Sequence, residues 1–336
     1  MSAPIIEGPY LRDILDQPAA LRGAAAGFES SPGLESIARR LAAGAYRRVV
    51  LTGMGSSLSA LYPLYLRLNH AGHCCLHVET AELVHSLAGL LAPDTLAVAV
   101  SQSGRSGEIV RLAGMLPPEV SLVAVTNDPA SPLAARAGCV VPLNAGPEST
   151  VTCKTYVTTL LALEWLRRQL QGGPAPESVE AAAAVEEYLS TWRARVDEFM
   201  RLLGGVTHVF VTGRGDSLAA AETGGLILKE AACVAAEGMS CAAFRHGPLE
   251  LLGPHVFVMI FQGDAADLNR RLAEDVIAAG GRARLFSEGA DLPALARPLR
   301  PIAEILPVQM VSLALAALKG REAGRFERAS KITAVE

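Results

Sequence analysis

Ser101, Gln102, Ser103 and Ser106, interleaved with Gly104 and Gly107, gather three hydroxyls and an amide inside seven residues. Where such a turn runs into a helix, unpaired backbone N–H groups and the positive end of the helix dipole point the same way as the hydroxyls. That combination is a socket for an anion, most simply a phosphate. One serine before a helix is ordinary capping and a glycine in such a turn is ordinary turn chemistry, but three serines and a glutamine exceed what a cap requires. The stretch has no lysine after its glycines and is not GxGxxG, so a nucleoside triphosphate is not the first expectation.

Three further residues could move protons or form covalent bonds. Glu230 lies in AAAETGGLILKEAA, eight residues after Glu222, about two turns on and on a neighbouring face. With Lys229 it reads either as a solvated patch or, if it faces a pocket, as a carboxyl whose pKa burial raises toward that of a base acting at carbon. His246, between Arg245 and Gly247-Pro248, is either a surface histidine or one held for proton transfer. Only four of the 30 basic residues are lysines, and one of them, Lys331, sits in the last segment, ASKITAVE. A solvated tail is the plain reading; an amine brought into a sugar pocket could instead form a Schiff base with an open-chain carbonyl. The cluster His70, His73, Cys74, Cys75 and His77 straddles a helix end and a strand start, so its ligands diverge and no metal is expected.

The elements that carry these residues alternate. Leu96–Val100 is a strand apolar on both faces, as in a covered parallel sheet, and helical spacing resumes at Glu108. Arg47–Thr52 is a second strand; after it come Gly53, Gly55, Ser56 and Ser57, then a helix over Leu58–Leu68, so both turns could share one sheet edge. TGMGSSLSA from Thr52 and TGRGDSLAA from Thr212 match at six of nine positions, at an offset of 160 residues. At that offset Leu96–Val100 falls on Val256–Ile260, and the strand around Leu122–Val125 falls beside Arg282–Leu285. The expectation is α/β: two similar three-layer domains, each a parallel sheet wrapped by helices, arising from an internal duplication. SQSG in the first half is FQGD in the second, so only the first keeps the hydroxyl socket. The expected layout is a helical arm over 1–45, a first domain over 46–175, a connecting helix over 176–204, a second domain over 205–318 and a tail over 319–336, with Gly172, Gly173, Pro174 and Pro176 as the hinge.

Composition bounds the partners. A net charge of −4 without a basic run argues against nucleic acid. The stretch Val308–Leu318 is about half of a bilayer span, and MSAPIIEGPY has no basic start or apolar core of a signal peptide. Six cysteines spread through apolar contexts fit reduced thiols. The expectation is a cytoplasmic protein with no membrane partner.

Taken together, DILDQPAA, GMGSS, SQSGRSGE, TND, GPESTVTCKTYVTT, GRGDS, LKEAACVAAEG, FRHGPLELL and ASKITAVE resemble, almost end to end, the SIS (sugar isomerase) family. The likeness is to the isomerase part of glucosamine-6-phosphate synthase and to stand-alone phosphosugar isomerases and deaminases. The resemblance implies a sugar phosphate held by Ser101, Gln102, Ser103 and Ser106 with Ser57, and pocket positions at Val151 and Cys153, the latter where a serine is usual. It implies Glu230 as the base between C1 and C2, His246 as the ring-opening histidine reaching in from the neighbouring subunit of a homodimer, and Lys331 as the Schiff-base amine. The family's further lysine, three residues before the glutamate, is Ile227 here. No glutamine-hydrolysing domain is expected before the arm, so glutamine is not the expected nitrogen donor unless another chain supplies ammonia.

The leading expectation is interconversion of glucosamine 6-phosphate with fructose 6-phosphate and ammonia, with no metal or organic cofactor. A deglycase acting on a fructosamine 6-phosphate and a non-catalytic sugar-phosphate sensor are the alternatives.

Overall fold

The computed structural model describes residues 4–173, 178–328, 330 and 331. It divides into two compact units. The first holds residues 19–147 and 154–179 together with the described residues of 329–336; the second holds the residues up to 18, then 148–153 and 180–328.

The first unit is built on a five-stranded sheet of β1 (Arg48–Gly53), β2 (Cys75–Glu79), β3 (Thr95–Val100), β4 (Ser121–Thr126) and β5 (Cys139–Pro142), in the order β2-β1-β3-β4-β5. Every pairing is parallel. All six residues of β3 are buried, which accounts for an apolar run with no polar alternation. On one face, Val50, Ala97, Ala99, Leu122 and Ala124 pack with Leu83, Ile109, Leu112 and Leu133 from the covering helices. The strand order reverses between β1 and β3, so their carboxyl ends border a crevice where such sheets take ligands. The helix expected over Leu58–Leu68 is two, Ser56–Ala60 and Tyr62–His70, because Pro63 fits only the first turn of a helix.

The second unit has a four-stranded parallel sheet, β6 (His208–Gly213), β7 (Ala235–Ser240), β8 (Val256–Phe261) and β9 (Arg282–Phe286), in the order β7-β6-β8-β9. Helix Leu218–Ala232 lies so close to β7 that a Cβ on Gly225 would come within 2.3 Å of the Gly238 nitrogen. Only glycine permits that approach, and it fixes the height at which the helix presents its last turn. The apolar stretch near the C-terminus is longer than expected: helix Arg300–Leu318 belongs to the one segment, among the described residues, long and apolar enough to cross a membrane. Of its most apolar 18-residue stretch, 94% is buried inside the fold, as in a core helix. Where a single connecting helix was expected over 176–204, the described residues form two, Ser178–Ser190 and Trp192–Leu203, broken at Thr191.

Candidate functional site

The socket residues converge at the carboxyl ends of β1 and β3. Val100 pairs with Gly53, so the turns that follow the two strands start side by side. Ser101 is 8% exposed and its Oγ accepts the Gly104 N–H at 3.1 Å; the Ser103 Oγ accepts the Arg105 N–H at 3.2 Å. A hydroxyl that accepts a backbone N–H keeps its own proton to donate, so both serines can still give a hydrogen bond to an anion. Ser106 is the N-cap residue of helix Gly107–Met115, and its side chain makes no cap hydrogen bond. It too retains a donor at the positive end of the helix. Ser57 lies half-buried in the first turn of Ser56–Ala60.

Two neighbours hold the turn in shape. The Gln102 carbonyl accepts the Asn127 N–H at 3.0 Å and the Thr126 hydroxyl at 3.3 Å, which ties the turn to the end of β4. Gly104 has φ +61°, and a Cβ there would lie 2.2 Å from the Ser131 Oγ, so this position accepts glycine alone. The nearby cation, Arg105, is turned onto Asp128 at 2.8 Å. That guanidinium, with the Ala130 N–H, holds the Asp128 carboxyl below its usual range.

Of the residues suited to carbon chemistry, Glu230 and His246 lie in the second unit. Glu230 is half-buried near the end of helix Leu218–Ala232, while Lys229 beside it is exposed. The helix closes on Cys233 in the left-handed conformation, φ 48°, and the Gly324 N–H donates to the Ala231 carbonyl at 3.0 Å. Val151 and Cys153 are fully buried, and the Cys153 N–H donates to Glu148 Oε1 at 2.9 Å. Around Tyr10 these groups share one environment. Its hydroxyl is 3.2 Å from the Ser312 Oγ, and its pKa is driven well above the usual tyrosine value by burial first and then by Cys153, with Glu230 and Glu148 adding to the effect. Burial thus keeps this phenol neutral, with Cys153, Glu230 and Glu148 within electrostatic reach of it.

His246 sits on an exposed turn after β7; its N–H donates to the Ala243 carbonyl at 2.9 Å, and Gly247 follows with φ +140°. Lys331 is half-buried and groups with the unit that carries the socket. Residues 332–336 and Ala329, the rest of the tail segment singled out in the sequence, lie outside the described residues. Ile227, at the position of the missing lysine, is fully buried.

The histidine and cysteine cluster does not converge. Burial, with Cys74 adjacent, pushes the Cys75 thiol up to about 12, and the His77 ring is spent on the Leu58 carbonyl at 2.8 Å. No group of three or more metal-ligating side chains forms among the described residues.

Sequence reasoning missed Tyr10, Asp13 and Glu148. Glu148 stood in view inside GPESTVTCK, where an acidic residue just before a run of loop N–H groups is a signal for a loop clasp. Tyr10 gave none, since Ser312 lies 302 residues away.

Residues 45–166 match the family model of the SIS domain. Over 97% of its length the chain is 28% identical to the isomerizing glutamine–fructose-6-phosphate aminotransferase of Pyrococcus horikoshii, and it spans 57% of that protein. In fold it is similar to the glucosamine-6-phosphate deaminase of Thermotoga maritima, with a TM-score of 0.83 at 18% identity over 98% of this chain and all of that one. It is also similar to the tagatose-6-phosphate ketose/aldose isomerase of Escherichia coli, with a TM-score of 0.79 at 18% identity over 98% of each.

Proposed function

We propose that this chain, which carries a SIS domain in residues 45–166, is a phosphosugar isomerase of the deaminating kind, converting glucosamine 6-phosphate and water to fructose 6-phosphate and ammonia. The observation that carries the reading is the socket at the strand-order reversal, where Ser101 and Ser103 accept backbone N–H groups and keep their own protons for an anion. Ser57, Gln102 and Ser106 complete the grip on the phosphate. Anchoring the phosphate fixes C1 and C2 of the open-chain sugar at a set distance from it, which makes the proton transfer effectively intramolecular.

His246 takes the ring-opening role, from the neighbouring subunit of a homodimer, in keeping with its exposed turn. Glu230 removes the C2 proton of the open-chain amino aldehyde and returns it at C1, through an enolamine, which leaves an imine at C2. Water then adds at C2, ammonia leaves, and the ketose carbonyl forms; Lys331 holds that carbonyl as a Schiff base in the reverse direction. Val151 and Cys153 line the sugar. Ile227 is apolar and buried, so Lys331 is the amine this scheme uses. A duplicated pair of domains, a cytoplasmic setting and no metal or organic cofactor belong to the same reading. The similarity of the chain to aminotransferase and deaminase proteins supports amino-sugar chemistry.

The test is ammonia release from glucosamine 6-phosphate with fructose 6-phosphate followed in the same reaction. Equal release is expected from the wild type, and Glu230→Gln is expected to abolish it. Full activity in Glu230→Gln, or binding without any product, would overturn the scheme.

A further inference from the structure

The segment before the first sheet carries three polar residues on one face that reach well away from their own neighbourhood. Tyr10 and Asp13 lie in helix Pro9–Leu15, and Gln17 follows one turn later. Tyr10 and Gln17 are fully buried and Asp13 is 7% exposed. The Tyr10 hydroxyl meets Ser312, and Gln17 and Gln309 exchange reciprocal amide hydrogen bonds at 2.9 and 3.0 Å, so the segment is pinned at both ends to helix Arg300–Leu318. Between the pins, Asp13 Oδ2 accepts the Ser149 N–H at 2.8 Å. Ser149 opens the loop that ends in Val151 and Cys153, and Glu148 clasps the same loop from within through the Cys153 N–H. Tyr10 is also packed against Gly324, where a Cβ would lie 2.7 Å from the Tyr10 Cβ, and Gly324 in turn holds the Ala231 carbonyl next to Glu230.

A single helical segment therefore touches the loop bearing two pocket residues and the strap that fixes the end of the Glu230 helix. We propose that Asp13 is a positioning residue of this site: through the Ser149 N–H it holds Val151 and Cys153 in register with Glu230. The inference rests on the reading of Glu230, Val151 and Cys153 as parts of a sugar site. Its physical basis is that a buried carboxylate accepting a backbone N–H is a strong, directional anchor, and its loss leaves that N–H without its acceptor. A small displacement of a pocket wall lowers the rate of proton transfer far more than it lowers binding, because the phosphate grip lies elsewhere.

The experiment compares Asp13→Ala and Asp13→Asn in the full chain, by kinetics and by hydrogen–deuterium exchange of residues 148–153 and 228–232. Asn keeps an acceptor oxygen at the same reach. The expected result is a kcat at least about 10-fold lower in Asp13→Ala with KM within about 3-fold of wild type, and near-normal kcat in Asp13→Asn. Exchange at 148–153 should quicken in the Ala variant and stay slow in the Asn variant. Unchanged kcat and unchanged exchange in Asp13→Ala, or an equal loss in Asp13→Asn, would overturn the proposal. If Asp13→Ala does not fold, Asp13→Ser, whose hydroxyl is too short to reach Ser149, takes its place with the same outcomes. If the wild type turns over no sugar phosphate, the functional reading has failed, and exchange alone decides: loosening confined to these two stretches supports the anchor, and its absence overturns it.

Discussion

Glu304 is the residue whose removal tests the energetics most directly. It lies on the buried helix Arg300–Leu318, 1% exposed, and its Oε1 accepts the Ser217 hydroxyl at 2.6 Å. Its Oε2 has no hydrogen-bond partner among the described residues. Burial raises its pKa from 4.5 to about 8, against the lowering effects of the Ser217 hydrogen bond and the Arg300 charge, while Glu288 and Asp216 add to the rise. Between pH 4.5 and 8 the folded chain keeps this proton and the unfolded chain loses it, so the unfolded state binds fewer protons and stability falls as pH rises. The slope is about 1.4 kcal/mol per pH unit, which amounts to roughly 3 kcal/mol by pH 7. Glu304→Gln keeps an oxygen for Ser217 and has no proton to lose. Its urea-unfolding free energy should match wild type at or below about pH 4.5 and exceed it by about 3 kcal/mol at pH 7 and about 4 kcal/mol at pH 8. The contribution is complete below the unfolded value and gone above about 8. Parallel stability curves for the two proteins across pH 5–8 would refute the reasoning.

Other outcomes follow from single contacts. Ser101→Ala removes both a donor to the anion and the acceptor of the Gly104 N–H, so KM for a phosphorylated sugar should rise about 10-fold; an equal rise for the unphosphorylated sugar would argue against a phosphate socket. Gly104→Ala puts a Cβ against Ser131 at a positive φ and should cost about 2 kcal/mol in chemical denaturation, only partly recovered by adding Ser131→Ala, which relieves the clash but not the backbone strain. Glu164→Ala strips two guanidiniums, Arg167 at 2.8 Å and Arg168 at 2.5 Å, of a buried carboxylate and should cost about 3 kcal/mol; a loss below about 0.5 kcal/mol would mean solvent serves the arginines equally well.

The first sheet was legible because its strongest signals are local. β3 is buried on every residue, so its apolar run had no competing reading as an amphipathic strand, and the serines that follow it are joined to their partners within a few residues. Glu230 was legible only as a choice between a patch and a pocket. Its half-buried position depends on Gly225 approaching Gly238 and on Gly324 strapping Ala231, contacts made across the fold that no periodicity encodes. The same holds for Asp13, whose partner Ser149 is 136 residues away, and for helix Arg300–Leu318, where a polar Glu304 and Gln309 inside an apolar run found partners in Ser217 and Gln17. Prolines misled in one place: Pro63 starts a second helix where the apolar spacing ran on unbroken.

The two sheets differ in what their matching edges offer an anion. Their first four strands follow the same order, and the turns after β1 and β6 bend alike, with Gly55 at φ +50° and Gly215 at φ +55°. Ser57 and Ser217 occupy the same place in their matching motifs. Ser57 is half-buried, whereas Ser217 is fully buried and commits its hydroxyl to Glu304. Beyond it Asp264, at the end of β8, is paired with Arg300 at 2.9 Å and also with Arg297, which reaches Asp216 at 3.3 Å. The second edge thus supplies its own carboxylates and its own cations, and its donors are used up within the unit. An anion arriving there would have to displace a buried carboxyl and break paired charges, both costly steps. At the first edge it meets hydroxyls whose protons are still unspent, which is where substrate phosphate should be found.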